Sequence, residues 1–193
     1  MLGRLRFLIH FGCALPLVWL GYVLAIGDET AFGADPIKEL EHFLGYTAII
    51  IFCLMFLLGI VLQLLNKNQY QILRRPLGLW AFAWASLHIA SFLFLELGFD
   101  FNLFFSELTI RPYLIFGAIA FLILFVMAIT SLPALKQKLG KHWFSIHQWA
   151  YVAIVTAFVH YYWSVKSVTL APIVIGGVVV GIVGWSLKSF CKL

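Results

Sequence analysis

The sequence predicts an all-α integral membrane protein, a bundle of six transmembrane helices with both termini in the cytoplasm. Of its 193 residues, 63% are hydrophobic and 11% are charged, and the mean hydropathy is +1.01. A soluble domain needs a much more polar surface. Two further observations support the prediction. Six apolar runs are each long enough to cross about 30 Å of hydrocarbon as a helix, and the charged residues divide between the two ends of these runs.

The first span follows Arg4 and Arg6, and its apolar run is longer than that of a cleaved signal peptide, so we expect a retained helix. Four prolines stand near the start of a later span or in the loop before it, where a missing backbone N–H is tolerated. They are Pro36, Pro76, Pro112 and Pro172. The predicted spans lie near residues 7–27, 43–65, 77–97, 112–132, 146–165 and 170–187.

The basic residues predict the orientation. Ten of the 13 fall on one side of the six spans, which the positive-inside rule makes cytoplasmic. These ten are Arg4, Arg6, Lys67, Arg74, Arg75, Lys136, Lys138, Lys141, Lys188 and Lys192. All 8 acidic residues fall on the other side. Topology and contact with anionic lipid account for the basic residues, so they indicate no nucleic-acid partner.

The loops between the spans are short, and no linker or obvious internal repeat interrupts the pattern. We therefore expect residues 1–193 to form one domain. Cys13, Cys53 and Cys191 make no CxxC pair or other metal-binding spacing, which argues against disulfides and iron–sulfur ligation.

Histidines inside the apolar runs are the main functional signal. An ionisable side chain in a bilayer is expensive and indicates a functional site by default. His88 lies near the middle of the third span, and His160 in the fifth span lies at a similar predicted depth. Each alone is compatible with a core histidine bonded to a backbone carbonyl. Together they suit two axial ligands of one haem iron, since neutral imidazole is a common haem ligand.

His147 precedes His160 by thirteen residues, about 20 Å along one helix and some 140° around its axis. It is a candidate ligand at the inner end of the fifth span. His10 matches its depth and is a candidate partner, or else an interfacial residue. Candidate contacts for a haem propionate or another anionic cofactor at this end are Arg74, Arg75, Lys138 and Lys141.

The remaining histidines, His42 and His142, are expected to be solvated at an interface and in a basic loop. A proton relay normally needs carboxylates well inside the spans, and the sequence offers only Glu96, at the edge of the third span. This pattern favours a bound redox cofactor over a proton-coupled transporter.

Several separated motifs resemble the MsrQ (YedZ) family, in the same order and over nearly the whole chain, from about His10 to Lys166. They are Gly33-Ala34-Asp35-Pro36, Glu41-His42-Phe43, Leu77-Gly78-Leu79-Trp80, Leu87-His88, Arg111-Pro112-Tyr113, Thr130-Ser131, Leu139-Gly140-Lys141 with Trp143 and His147, and His160 with Trp163 and Lys166.

The resemblance implies a six-helix haem-binding bundle similar to the membrane part of ferric reductases and NADPH oxidases. It implies haem b, one or two per chain, with His88, His147 and His160 as ligands, and FMN as a further cofactor. It also implies a place in the inner membrane of a bacterium. The implied partner is MsrP, a periplasmic molybdopterin subunit that reduces oxidised methionine, and the implied electron donors are the quinone pool or a cytosolic flavin reductase.

The chain departs from the oxidase relatives in one respect. Those relatives carry two histidines on the third helix, whereas Arg75 and Phe101 stand thirteen residues before and after His88. The resemblance therefore supplies no second pair of histidines. Candidate docking residues on the outer face are Arg111, Lys166 and the acidic segment 28–41.

Two other functions fit the sequence. One is a stand-alone ferric or quinone-linked reductase of the same architecture, which would need a separate flavoprotein. The other is a haem-free transporter or scaffold whose histidines only pack.

Overall fold

The computed structural model describes residues 1–27, 30–165 and 169–190, which form helices joined by short turns and contain no strand. In chain order the α-helices are α1 (Leu2–Ile26), α2 (Pro36–Leu64), α3 (Arg74–Ser91), α4 (Phe101–Ile110), α5 (Tyr113–Thr130), α6 (Pro133–Leu139), α7 (His142–Gln148), α8 (Ala150–Ser164) and α9 (Leu170–Phe190). A 3-10 helix, Asn68–Leu73, precedes α3, and a π-helical turn, Phe92–Glu96, follows it.

The all-helical membrane class is confirmed. Within the described ranges, five helical segments are long and apolar enough to cross a membrane; they contain α1, α2, α3 with its flanking turns, α5 and α9. The predicted fifth span, near residues 146–165, differs from the expectation. It is divided at Trp149 into α7 and the 15-residue helix α8.

This division corrects the expectation that His147 and His160 share one helix. The amide of Trp149 bonds to the carbonyl of Ile146, an i to i−3 contact that closes the last turn of α7. His147 therefore lies on α7 and His160 on α8. The spacing of the two histidines around a single continuous helix does not apply.

Helix α4 is an element that the sequence analysis did not predict. Asp100 caps it, because its Oδ1 accepts hydrogen bonds from the amides of Asn102 and Leu103 at 2.8 and 3.1 Å. At the other end, Arg111 Nε forms an ion pair with Glu107 Oε2 at 2.7 Å. Pro112 follows and separates α4 from α5.

Two antiparallel helix pairs form the centre of the molecule. The start of α2 meets the end of α3, where Glu41 contacts His88, and the start of α5 meets the end of α8, where Tyr113 contacts His160. α9 packs against both α2 and α8. The most deeply buried side chains of the core come from these helices and are at most 2% exposed. They include Phe52, Trp84, Ile154 and Ile182.

α1 joins the bundle through α3. The indole of Trp84 donates a hydrogen bond to the carbonyl oxygen of Cys13 at 3.1 Å, and the indole of Trp80 donates to Nδ1 of His10 at 2.9 Å. Most of the remaining surface of α1 is exposed and apolar. This surface is suited to contact with lipid.

Candidate haem site

The structure brings His88 and His160 together. Their ring centroids lie 6.1 Å apart, and the ring planes are inclined by 67°. Both side chains are partly buried. The sequence suggested this pair because the two histidines have similar predicted depths in the membrane. In the structure, α3 and α8 pack between α2 and α5 and bring the two rings together.

Each imidazole is held in the same way. Nδ1 of His88 donates to the carbonyl oxygen of Glu41 at 3.0 Å, and Nδ1 of His160 donates to the carbonyl oxygen of Tyr113 at 2.9 Å. A carbonyl oxygen can only accept, so the hydrogen of each neutral ring is on Nδ1. The Nε2 atoms keep their lone pairs, which is the form in which histidine binds a metal.

A glycine lies one helical turn after each acceptor carbonyl. Gly45 follows Glu41 on α2 and faces the ring of His88, while Gly117 follows Tyr113 on α5 and faces the ring of His160. We call each set of carbonyl, glycine and histidine a histidine latch. In both latches the acceptor residue precedes its histidine by 47 positions.

The two latches reveal a repeat that the sequence analysis did not find. The number of residues from Gly45 to Gly117 equals the number from His88 to His160. The same offset separates Met55 from Met127 and Ala81 from Ala153, and these four residues are buried. Most other positions differ between the two halves. The signal that sequence reasoning could have used was the equal spacing from glycine to histidine in 45–88 and 117–160.

The donor set fits a haem iron. With metal–imidazole bonds of about 2.0–2.1 Å and about 1.1 Å from a ring nitrogen to the centroid, two imidazoles on opposite sides of one metal have centroids about 6 Å apart. The observed separation of 6.1 Å agrees with this value. Nε2 of each ring has no hydrogen-bond partner within the described residues.

The histidine pair lies toward the acidic end of the bundle. The ring of His88 contacts the first three turns of α2, and the ring of His160 contacts the first turns of α5. Asp35 and Glu39 belong to the start of α2, and Glu96 and Arg111 lie near Glu41. If the acidic side faces outward as predicted, the pair is nearer the outer face than the inner one.

His147 lies at the opposite end and has different surroundings. Its ring stacks on Trp143 with centroids 4.0 Å apart, and Lys136 Nζ lies 4.5 Å from the centroid of the Trp143 ring. Burial and the Lys136 ammonium lower the pKa of His147.

Nε2 of His147 is already engaged with Thr130 Oγ1 at 3.2 Å. The hydroxyl hydrogen of Thr130 points to the carbonyl of Val126 at 2.8 Å, so the hydroxyl oxygen accepts from the imidazole. His147 thus forms its hydrogen bond through Nε2, whereas His88 and His160 bond through Nδ1. No second histidine contacts its ring within the described residues.

His10 is not brought to His147. Its Nδ1 accepts from the Trp80 indole, which can only donate, so the hydrogen of the neutral ring is on Nε2. His10 is exposed on α1. The expected pairing of His10 with His147 finds no contact in the described part of the chain.

Arg74 and Arg75 point to different helices. Arg75 Nη2 donates to the carbonyl of Ser131 at the end of α5 at 2.7 Å. Arg74 lies against α2, where a Cβ on Gly59 would be 2.8 Å from its Nε. This Nε atom is buried and has no hydrogen-bond partner in the part of the chain that the structure describes.

The other candidate residues that the structure describes form no hydrogen bond or ring contact with the histidine pair. His42 and His142 are exposed, as expected for solvated residues, and Cys13 and Cys53 are buried free thiols. Of the docking candidates, Arg111 pairs with Glu107. The docking candidates Lys166, Asp28 and Glu29 lie outside the described residues. Cys191 also lies outside them.

Sequence comparison agrees with this fold. Residues 44–158 match the family described as "Ferric reductase like transmembrane component". The matched region includes Gly45, His88, Gly117 and His147 and ends just before His160. The fold and the histidine pair therefore define a multi-pass membrane protein of the ferric-reductase-like class.

More specific relatives are similar over most of the chain. "Protein-methionine-sulfoxide reductase heme-binding subunit MsrQ" of Pasteurella multocida is 53% identical over 171 residues, 89% of this chain and 83% of the relative. The proteins of the same name from Klebsiella pneumoniae and Cronobacter sakazakii are each 38% identical over 96% of this chain, and the matches cover 91% and 92% of those relatives. The chain belongs to the MsrQ family.

Proposed function

We propose that this protein is the b-type haem subunit of a methionine sulfoxide reductase system in a bacterial inner membrane. It passes electrons from the quinone pool or a cytosolic flavin reductase to the periplasmic molybdopterin subunit MsrP. The observation that carries the proposal is the pair of latched histidines, His88 and His160, with both Nε2 atoms open. The printed names of the relatives, which call them heme-binding subunits, support the same cofactor.

Haem supplies one-electron redox chemistry, and the protein supplies its ligands and orientation and sets the dielectric around it. His88 and His160 would hold the iron from two sides. If both histidines bound the iron, no ligand position would be left for a sulfoxide substrate. The subunit therefore carries electrons and leaves methionine sulfoxide reduction to its partner.

We propose six spans, one domain over residues 1–193 and cytoplasmic termini, with α8 as the fifth span. α8 measures about 22 Å at 1.5 Å per residue, shorter than a typical span. It packs along α5, and α7 precedes it at the basic end. The separation of acidic and basic residues in the sequence supports this topology.

We propose that electrons enter at the basic end, the end of His147, Arg74, Arg75, Lys138 and Lys141, and leave at the acidic end. We place one haem at His88 and His160. A second haem at His147 would need a ligand other than His10. FMN binding, which the family resemblance implies, stays a prediction, and released flavin can be measured in the same preparation.

Purification of the full chain with its cofactor tests the site. We expect a low-spin haem spectrum whose Soret band sharpens on reduction, and loss of most haem in His88→Ala and in His160→Ala. His42→Ala and His142→Ala are matched controls, since both side chains are exposed. Full low-spin haem in both His88→Ala and His160→Ala contradicts the pair, and a preparation without any Soret band contradicts a cytochrome.

The partner is tested separately. We expect co-purification with a periplasmic molybdoenzyme and loss of repair of oxidised methionine in envelope proteins when the gene for this chain is deleted. Normal repair in the deletion strain contradicts the assignment to a methionine sulfoxide reductase system. Ferric reduction by the chain with a flavin reductase, but without effect on methionine repair, would favour the stand-alone reductase.

A further inference from the structure

Two glycines lie directly against the histidine rings, with less space at Gly117 than at Gly45. An ideal Cβ on Gly117 would be 2.8 Å from Nδ1 of His160 and 3.0 Å from its Cε1. A Cβ on Gly45 would be 3.2 Å from Cε1 of His88 and 3.3 Å from its Nδ1. Each imidazole is thus packed directly against the backbone of the neighbouring helix.

The position of each glycine follows from helix geometry. In an α-helix every Cα–Cβ bond is tilted toward the N-terminus, so a side chain covers the turn that precedes it. A Cβ at Gly45 would project toward the carbonyl of Glu41, and a Cβ at Gly117 toward the carbonyl of Tyr113. These are the carbonyls that accept from Nδ1 of the two histidines. Only glycine leaves both carbonyls open to an imidazole from another helix.

We propose that Gly45 and Gly117 are positioning residues that fix the imidazole planes of His88 and His160 and, through the Nδ1–H bonds, set the reduction potential of the haem. The inference rests on the proposed function. A carbonyl that accepts from Nδ1–H makes the imidazole a stronger donor to a metal. A stronger donor favours ferric over ferrous iron, so weakening a latch raises the potential.

The two clearances differ, and so do the expected effects. At Gly117 the added methyl group would overlap Nδ1 itself, so Gly117→Ala must displace the ring and lengthen its bond to Tyr113. At Gly45 the ring of His88 has to yield by only a few tenths of an ångström. We expect both variants to raise the midpoint potential and to shift the electron paramagnetic resonance g-values, Gly117→Ala more than Gly45→Ala.

The chain offers matched controls on α9. A Cβ on Gly176 would be 2.8 Å from Cζ of Phe158 on α8, the same closest distance as at Gly117, but Gly176→Ala touches neither ligand. A Cβ on Gly177 would meet nothing within 4 Å. Both controls should keep the g-values and the midpoint potential of the wild type, whatever they do to thermal stability.

The experiment compares the purified variants by redox titration and by electron paramagnetic resonance of the oxidised state, with His160→Ala in parallel. Shifts in the two latch variants but not in Gly176→Ala support the inference. Unchanged values in both latch variants, or an equal shift in Gly176→Ala, overturn it. If Gly117→Ala does not accumulate, Gly45→Ala alone decides.

Haem retained in full by His160→Ala would overturn the proposed ligand pair itself. Haem lost in His160→Ala, together with unchanged latch variants, would overturn only the role of the glycines.

Discussion

The guanidinium of Arg75 donates a hydrogen bond of 2.7 Å to the carbonyl oxygen of Ser131 and so joins the start of α3 to the end of α5. The last carbonyls of a helix have no partner within it, and a cation at the C-terminus also interacts favourably with the helix dipole. The sequence made Arg75 a candidate contact for an anionic cofactor. In the structure its guanidinium links two helices.

Arg75→Met is expected to destabilise the protein by about 1–2 kcal/mol, less than the ~3 kcal/mol upper value for a hydrogen bond to a charged group, because its side chain is exposed. The measurement is thermal unfolding in detergent with haem absorbance as a second readout. Haem content should stay near that of the wild type. A loss of haem without a loss of stability would instead assign Arg75 to the cofactor.

Arg74→Met should be neutral or stabilising, in contrast to its neighbour. Among the described residues the buried Nε atom of Arg74 has no hydrogen-bond partner. An uncompensated buried charge is costly, so an apolar side chain of similar length should be tolerated. The same unfolding assay checks this. A strong decrease in unfolding temperature would show that Arg74 has an anionic partner in the intact protein.

Trp84→Phe should loosen the contact between α1 and α3. The substitution keeps most of the buried ring but removes the indole N–H, which leaves the Cys13 carbonyl without this donor. We expect a loss of about 1–3 kcal/mol and faster labelling of the buried Cys13 thiol by a maleimide. Trp163→Phe is the control because Trp163 is 53% exposed. Unchanged labelling in Trp84→Phe would contradict the contact.

Asp100→Ala should destabilise the start of α4. Loss of an N-cap side chain costs about 0.5–2 kcal/mol, and Asp100 Oδ1 serves two amides. Hydrogen exchange of the backbone in residues 101–104 should become faster, with little change in α5. Asp35→Ala, which removes the single longer N-cap bond of α2 at 3.3 Å, should have a smaller effect.

His160→Met should retain haem but with a raised midpoint potential, because a methionine and histidine pair raises the potential relative to two histidines. Redox titration of the purified variant checks this. His147→Met is the matched control and should leave the potential unchanged. A raised potential in His147→Met with none in His160→Met would move the haem from the outer pair to His147.

Much of the helical organisation could be predicted because bilayer length and apolar runs dominate this sequence. The spans near 7–27, 43–65, 112–132 and 170–187 correspond to α1, α2, α5 and α9. The break at Trp149 was missed, since residues 146–165 are apolar throughout and composition does not report a turn within such a run. α4 was missed because its ten residues are too few for a span, although Asp100 is a recognisable N-cap.

The pairing of His88 with His160 could be suggested from depth alone. Their contacts with Glu41 and Tyr113 could not, because backbone carbonyls carry no sequence signal. Gly45 and Gly117 were overlooked for a similar reason. A glycine in an apolar helix usually indicates close packing of helices. Its contact with a histidine 43 positions later can be recognised only when the helix pairs are known.

The placement of both histidines near the first turns of α2 and α5 makes the two legs of electron transfer unequal under the proposed function. The distance along α2 from Gly45, beside His88, to Gly59, beside Arg74, is about 21 Å. The acidic end of α2 is only a few helical turns from Gly45. Electron tunnelling slows exponentially with distance, so the inner leg limits the overall rate. Substitutions in the inner half should therefore change turnover while the haem spectrum stays the same.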